Sequence, residues 1–209
     1  MLKEKYEQAM REYRGVLEYP WHSAEFYAAW CAQTYYYTSH NTRILLLASA
    51  HTPMKMPALH RRFAAHSGEE KGHEVLAERD AKSLGFDVQK IGEFPVTRSF
   101  YATQYYTIAH IGVEALFGFI LALEGLANEH GREWIKKIKQ NSNFPTSFLD
   151  VHADEDPDHV EKAFDQIKDF DPSTAQDILV NLDFTVKTYY KILDACRDYA
   201  NSLKQRKAS

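Results

Sequence analysis

The run Ile111-Gly-Val-Glu114-Ala-Leu-Phe-Gly118-Phe-Ile-Leu-Ala-Leu-Glu124-Gly125-Leu126 decides the fold. Wound as a helix it is apolar on most sides, as a helix at the centre of a bundle must be. It falls short of the roughly 18 uninterrupted apolar residues of a membrane span. It lies in a longer periodic segment, from Thr97 or Ser99 to His130, with Gly131 placed as its stop.

Outward from this segment, apolar residues recur at spacings of three and four rather than two, which is an all-α pattern. A first helix is expected from Leu2 to Leu17, ending before Tyr19-Pro20, and a second from Ala24 to Ala50, capped by Ser23. A third begins at Pro57, a good first-turn residue, and runs to Leu84 with Gly85 as its stop. Gly68 and Gly72 interrupt it at about 1 kcal/mol each relative to alanine, so something other than propensity favours them. Beyond the central helix, a short piece around Trp134 to Gln140 is followed by a helix from Ser147 to Phe170, capped by Thr146 and kinked at Pro157. Asp171-Pro172-Ser173 starts the last helix, which runs to about Leu203. The expectation is one seven-helix domain over residues 1–209, with no linker and no repeat.

Composition narrows the function. A net charge of -4 in 209 residues, with a basic cluster only at Lys204, Arg206 and Lys207, argues against nucleic acid as a partner. The opening Met1-Leu2-Lys3-Glu4-Lys5 lacks an apolar signal core, so a cytoplasmic protein without a membrane partner is expected. Cys31 and Cys196 stand alone in the chain and read as buried, reduced thiols.

The chemistry concentrates in three places. In His152-Ala-Asp-Glu-Asp156-Pro-Asp-His159, offsets of four and seven put His152, Asp156 and His159 within about 60° on one helix face, two imidazoles and a carboxylate suited to iron or zinc. The competing reading is a solvated acidic run with incidental histidines. Glu70 and His73 share a face three residues apart, the Glu-x-x-His pair of di-iron carboxylate proteins. His66, four residues earlier, is a further candidate as a ligand or a supporting group. Glu124 is a carboxylate inside the most apolar helix and needs a partner, of which a metal is the strongest. Glu114 competes with it but is rotated by about 80°. Gly118 and Gly125 point to another backbone approaching near Glu124.

In order and spacing, Glu70-x-x-His73, Glu124 in its Leu-Glu-Gly context and His152-x3-Asp156-x2-His159 resemble the haem-oxygenase-like di-iron oxidase and oxygenase superfamily, whose fold is also that of TenA and PqqC proteins. The resemblance implies an O2-dependent metal oxidoreductase with two iron ions, or an iron–manganese pair, acting on a small organic molecule. It implies Glu70, His73, Glu124, His152, Asp156 and His159 as ligands. Glu70, His73 and His152 would hold one ion, Asp156 and His159 the other, with Glu124 between them. With the aromatic content it also implies a homodimer. The Glu-to-His spacing of three is that of the decarboxylase members; others have a longer Glu-x6-His, whose first position here is His66.

Two other readings compete. TenA-type members work without such metals through a cysteine nucleophile, for which Cys31 would have to serve, and true haem oxygenases bind haem through one histidine, here His22 or His40. A helical binding module without a dinuclear site would use the aromatic second helix as its face. The thirteen tyrosines, Tyr35-Tyr36-Tyr37 and Tyr105-Tyr106 among them, read as core and interface residues.

Overall fold

The computed structural model describes residues 2–140 and 143–208; the side chains of residues 155–159 and 207–208 lie outside the described residues. The described chain is helical, without a strand. The helices are α1 (Leu2–Tyr13), α2 (Ala24–Thr38), α3 (Asn41–His51), α4 (Pro57–Glu69), α5 (His73–Ser83), α6 (Val88–Ile91), α7 (Pro95–His110), α8 (Phe117–Lys139), α9 (Ser147–Ile167) and α10 (Pro172–Ala208). Short 3₁₀ turns cover Arg14–Glu18 and Val113–Leu116.

Three segments expected as single helices are each divided. The second breaks after Thr38, where the Ser39 hydroxyl donates to the Tyr35 carbonyl at 2.6 Å and so competes with the helical ladder. The third breaks at Gly72, whose φ of 90° lies in the left-handed region that favours glycine. This accounts for a residue that helix propensity alone would not retain. The central segment breaks at Ile111–Gly112, leaving Glu114 in a 3₁₀ turn and Glu124 in α8.

Gly131 does not end α8, which runs on to Lys139 and absorbs the short helix expected around Trp134. The glycine serves packing instead, because a Cβ there would come within 3.1 Å of the Ala153 Cβ on α9. Gly118 likewise lets α10 approach: a Cβ would run into the backbone of Ile178 and Leu182. Gly125 makes room for Tyr6 and Met10 of α1. α8 is thus the central post, packed by α9, α10 and α1, while α2 packs against α5 and α10.

Three buried tryptophans join α8 to α2 and the turn before it. Trp21 lies 4.8 Å from Trp134, and Trp30 lies 5.1 Å from Trp134, between ring centroids. Capping at Ser23 is as expected, its hydroxyl accepting from the Phe26 N–H, and Asp171 caps α10 by accepting from the Ser173 and Thr174 N–H groups. The start of α9 differs. Thr146 turns its hydroxyl to Asp150, and the cap comes from α5, where the fully buried Asp80 accepts from the Ser147 hydroxyl at 2.7 Å and the Phe148 N–H at 3.2 Å.

Candidate metal centre

Glu70 is the hinge of the centre. It closes α4 as its C-cap residue, and the turn through left-handed Gly72 starts α5 at His73. The two residues therefore do not share one helix face as expected, yet the turn still brings His73 Nδ1 to 3.9 Å from Glu70 Oε2. His152 reaches the same point from α9, its ring 4.9 Å from that of His73. One ligating atom each from Glu70, His73 and His152 lie within 4.8 Å of one another, which suits a shared cation.

The orientation of His152 is fixed from behind. Its Nδ1 lies 2.8 Å from the Phe148 carbonyl, which can only accept, so Nδ1 carries the proton. In the neutral ring Nε2 then keeps its lone pair, the arrangement of a metal-binding imidazole held by a backbone carbonyl. The Phe148 ring stacks on His152 at 4.1 Å and limits its rotation.

On the other side of Glu70 stands His66, which the sequence left as either ligand or support. Its Nε2 lies 2.9 Å from Glu124 Oε1 and 3.6 Å from Glu70 Oε1, so one imidazole sits between two buried carboxylates. Burial alone would lower its pKa, but the charge and contact of Glu124, joined by Glu70, outweigh it and hold the value up at about 9. Burial would raise Glu70, yet His66 and the Asn41 amide, which donates to Oε2 at 2.9 Å, keep it well below the usual carboxylate range. Two carboxylates in an apolar interior call for positive charge, and the donor set of Glu70, Glu124, His73 and His152 fits iron.

The structure thus brings together Glu70, His73, Glu124 and His152 of the expected ligands, adds His66, and leaves Glu114 in its turn outside the group. Asp156 and His159 lie outside the described residues. Asn41 was not picked out from the sequence. The only sign was the helix-interrupting pair Ser39-His40 just before it.

Two small cavities flank the carboxylates. One, of about 30 Å³, is walled by Ile44, Leu45, Leu116, Phe119 and Ile120. The other, of about 50 Å³, is walled by Trp30, Tyr37, Trp134, Phe148 and Tyr189, with Glu70, Glu124 and His152 at its edge. Neither lining contains lysine or arginine. Cys31 is fully buried and its thiol is pushed well up by burial and by Asp80, contrary to the needs of a nucleophile. His40 is stacked on Tyr101 at 3.7 Å, and His22 is exposed, so neither lines these cavities.

The sequence model of a family described as iron-containing redox enzymes matches residues 28–189. Among solved structures, the chain is similar to a domain of unknown function with a haem-oxygenase-like fold from Shewanella denitrificans OS217, at 18% identity and a TM-score of 0.82, over 97% of this chain and 91% of that one. It is also similar to a TenA homologue from Pyrococcus furiosus, at 16% identity, TM-score 0.75, over 94% and 100% of the two chains. A TenA homologue from Pseudomonas syringae pv. tomato DC3000 aligns at 11% identity, TM-score 0.72, over 95% and 93%. At these identities the likeness establishes the haem-oxygenase-like helical fold. No curated protein matches the chain.

Proposed function

Because this chain belongs to the family of iron-containing redox enzymes, we propose that Glu70, His73 and His152 hold one iron ion and that Glu124 joins it to a second, held by Asp156 and His159, in an enzyme that uses dioxygen to oxidise a small, mainly apolar molecule. The observation that carries this reading is the convergence of Glu70, His73 and His152 from three helical segments within 4.8 Å, beside a second buried carboxylate. When bound, ferrous iron supplies the electrons that dioxygen needs before it can react with an organic molecule.

The chain's own residues do the rest. Asn41 holds Glu70 through Oε2, and the Phe148 carbonyl holds His152 in the ligating tautomer. His66 sits against Glu124 and Glu70, where its imidazolium balances the charge of the two carboxylates. The aromatic walls keep water from the reacting face, and a lining without lysine or arginine favours a neutral or hydrocarbon portion of the substrate at the metals.

Metal analysis of protein loaded anaerobically with ferrous iron, followed by oxygen uptake with a panel of aliphatic and aromatic amines and acids, tests the reading. About two equivalents of iron and substrate-stimulated uptake are expected. A single tightly held zinc ion and no uptake with any compound would overturn it.

A further inference from the structure

Five of the thirteen tyrosines form one file across the molecule. Tyr37 lines the aromatic cavity beside Glu70. Its ring lies 6.5 Å from Tyr189, Tyr189 lies 6.0 Å from Tyr13, Tyr13 lies 6.1 Å from Tyr190, and Tyr190 lies 6.3 Å from Tyr19, all between centroids. Tyr37, Tyr189 and Tyr13 are buried, whereas Tyr190 and Tyr19 are half-exposed. The file therefore leads from the carboxylate cluster to solvent without a gap in which an aromatic ring is missing.

The Tyr189 hydroxyl accepts from the Trp30 indole N–H at 2.9 Å and the Tyr190 hydroxyl donates to the Glu12 carbonyl at 2.6 Å, but at Tyr13 packing does not explain the choice of residue. Tyr13 is fully buried and its hydroxyl has no hydrogen-bond partner, a loss of stability that phenylalanine, with the same ring, would avoid. What phenylalanine lacks is a ring that can give up an electron readily. The outer end of the file has a further feature that the interior lacks. The Tyr19 hydroxyl donates to Asp194 Oδ1 at 2.9 Å, an oxygen that also accepts from the Arg197 guanidinium at 2.7 Å, and that guanidinium lies 5.4 Å from the Tyr19 ring centroid. A phenol can lose an electron without forming an unstable cation when its proton has somewhere to go, and here the carboxylate of Asp194 can take it.

We propose that Tyr37, Tyr189, Tyr13, Tyr190 and Tyr19 form a path for single-electron transfer between the buried centre and an exchange site at Tyr19 and Asp194, where a small hydrogen-atom donor such as a thiol or ascorbate reacts. An oxidising equivalent left at the centre by dioxygen in the absence of substrate draws one electron inward along the file. Tyr19 supplies that electron and passes its phenolic proton to Asp194, becoming a neutral radical. The donor then gives one electron to Tyr19, the proton returns from Asp194, and the donor's own proton leaves to solvent. The site is thereby relieved of an oxidant that would otherwise attack its own ligands. The use of the path rests on the redox reading above, but its conduction does not.

The test separates the two. 3-Aminotyrosine, which is more easily oxidised than tyrosine, is placed at position 37, where the cavity leaves room for the added amine, in the full-length metal-free protein. A ruthenium tris-bipyridine photo-oxidant with persulfate then oxidises exposed tyrosine from solution. The aminotyrosyl radical, read by electron paramagnetic resonance, is expected at position 37 and should fall at least tenfold in Tyr13→Phe. That variant loses only an unpartnered hydroxyl. Tyr190→Phe, on the half-exposed side, is a second interruption, and circular dichroism verifies the fold of each. Equal radical yield in folded Tyr13→Phe and Tyr190→Phe would overturn the path, whatever the metal content. In iron-loaded protein exposed to oxygen without substrate, peptide mass spectrometry should show oxidation moving from Tyr19 to cavity residues when Tyr13 is replaced. Failure to bind iron would sink the redox reading while leaving the radical-trap result to decide conduction.

Discussion

Replacing Asp80 with alanine tests whether the candidate metal centre is held by a cap from another helix. Asp80 is fully buried on α5, and its two oxygens accept from the Ser147 hydroxyl and the Phe148 N–H at the start of α9. Removing an N-cap costs about 1 kcal/mol, and stranding a buried donor adds about 1–3 kcal/mol. Relief of the buried carboxylate offsets part of this, since burial raises its pKa despite the bonds from Ser147 and Phe148. A net loss of about 2 kcal/mol should lower the melting temperature of a chain this size by about 4–8 °C. His152 lies one turn beyond Phe148, so the same change should weaken iron binding by roughly tenfold or more, as losing the support of a ligand does. Asp80→Asn keeps an acceptor and should lose much less. It also removes a pH dependence of known sign. The folded pKa lies above the unfolded value of 3.8, so the cost of ionised Asp80 is absent below 3.8 and complete above the folded value. Asp80→Asn should therefore gain on wild type as pH rises through that window. Calorimetry with iron titration provides the measurement, and an Asp80→Ala protein that melts and binds iron like wild type would refute the reasoning.

Glu124→Ala should reduce iron at both subsites while Glu114→Ala keeps it, and the opposite pattern in elemental analysis would show that the wrong carboxylate has been placed at the centre. Folded Asp156→Ala should retain about one iron equivalent and lose oxygen uptake, because the second subsite keeps too few ligands; two equivalents with normal uptake would contradict the proposed division. Gly118→Ala forces a Cβ against the α10 backbone and should cost about 1–3 kcal/mol by overpacking. Gly68→Ala on α4, with nothing within 4 Å of the added carbon, should gain about 0.5–1 kcal/mol, so matching melting shifts for the two would undercut the close-approach argument.

What could be read from the sequence was what depends on local periodicity. The run from Ile111 to Leu126 announced a buried helix because neighbouring residues alone determine its apolar circumference, and Ser23, Gly85 and Asp171 announced ends through their own side chains or backbone. Glu70, His73, Glu124 and His152 stand out in the sequence because each carries an ionisable group where an apolar surface or a spacing makes it conspicuous. Asp80 could not be found that way. Its partners begin 67 residues later, and nothing near it in the chain marks it as a cap. Gly131 misled because a glycine after a helical pattern suggests a stop, while the packing of Ala153 that it serves comes from a different helix. The tyrosine file was hidden for the same reason, since its members come from α1, α2, α10 and the turn between α1 and α2.

The places where local rules fail are not scattered. The break after Thr38 ends α2 three residues before Asn41, which then sits at the first turn of α3 with its amide on Glu70. The left-handed turn at Gly72 separates Glu70 from His73 and redirects the chain so that both meet His152. A continuous helix through either point would leave a more regular backbone but would carry Asn41 or His73 along a different axis from the one that reaches Glu70. Local preference yields where several side chains must converge on one small volume, while α8 packs against α9 and α10 beside it. The same logic distinguishes His66 from the incidental histidines. His51 bonds to a carbonyl of its own helix, whereas His66 stands between two carboxylates delivered by α8 and by the end of α4. A site built from the ends and interruptions of helices, and backed by one uninterrupted post, positions its side chains through long-range packing rather than through any single helix face.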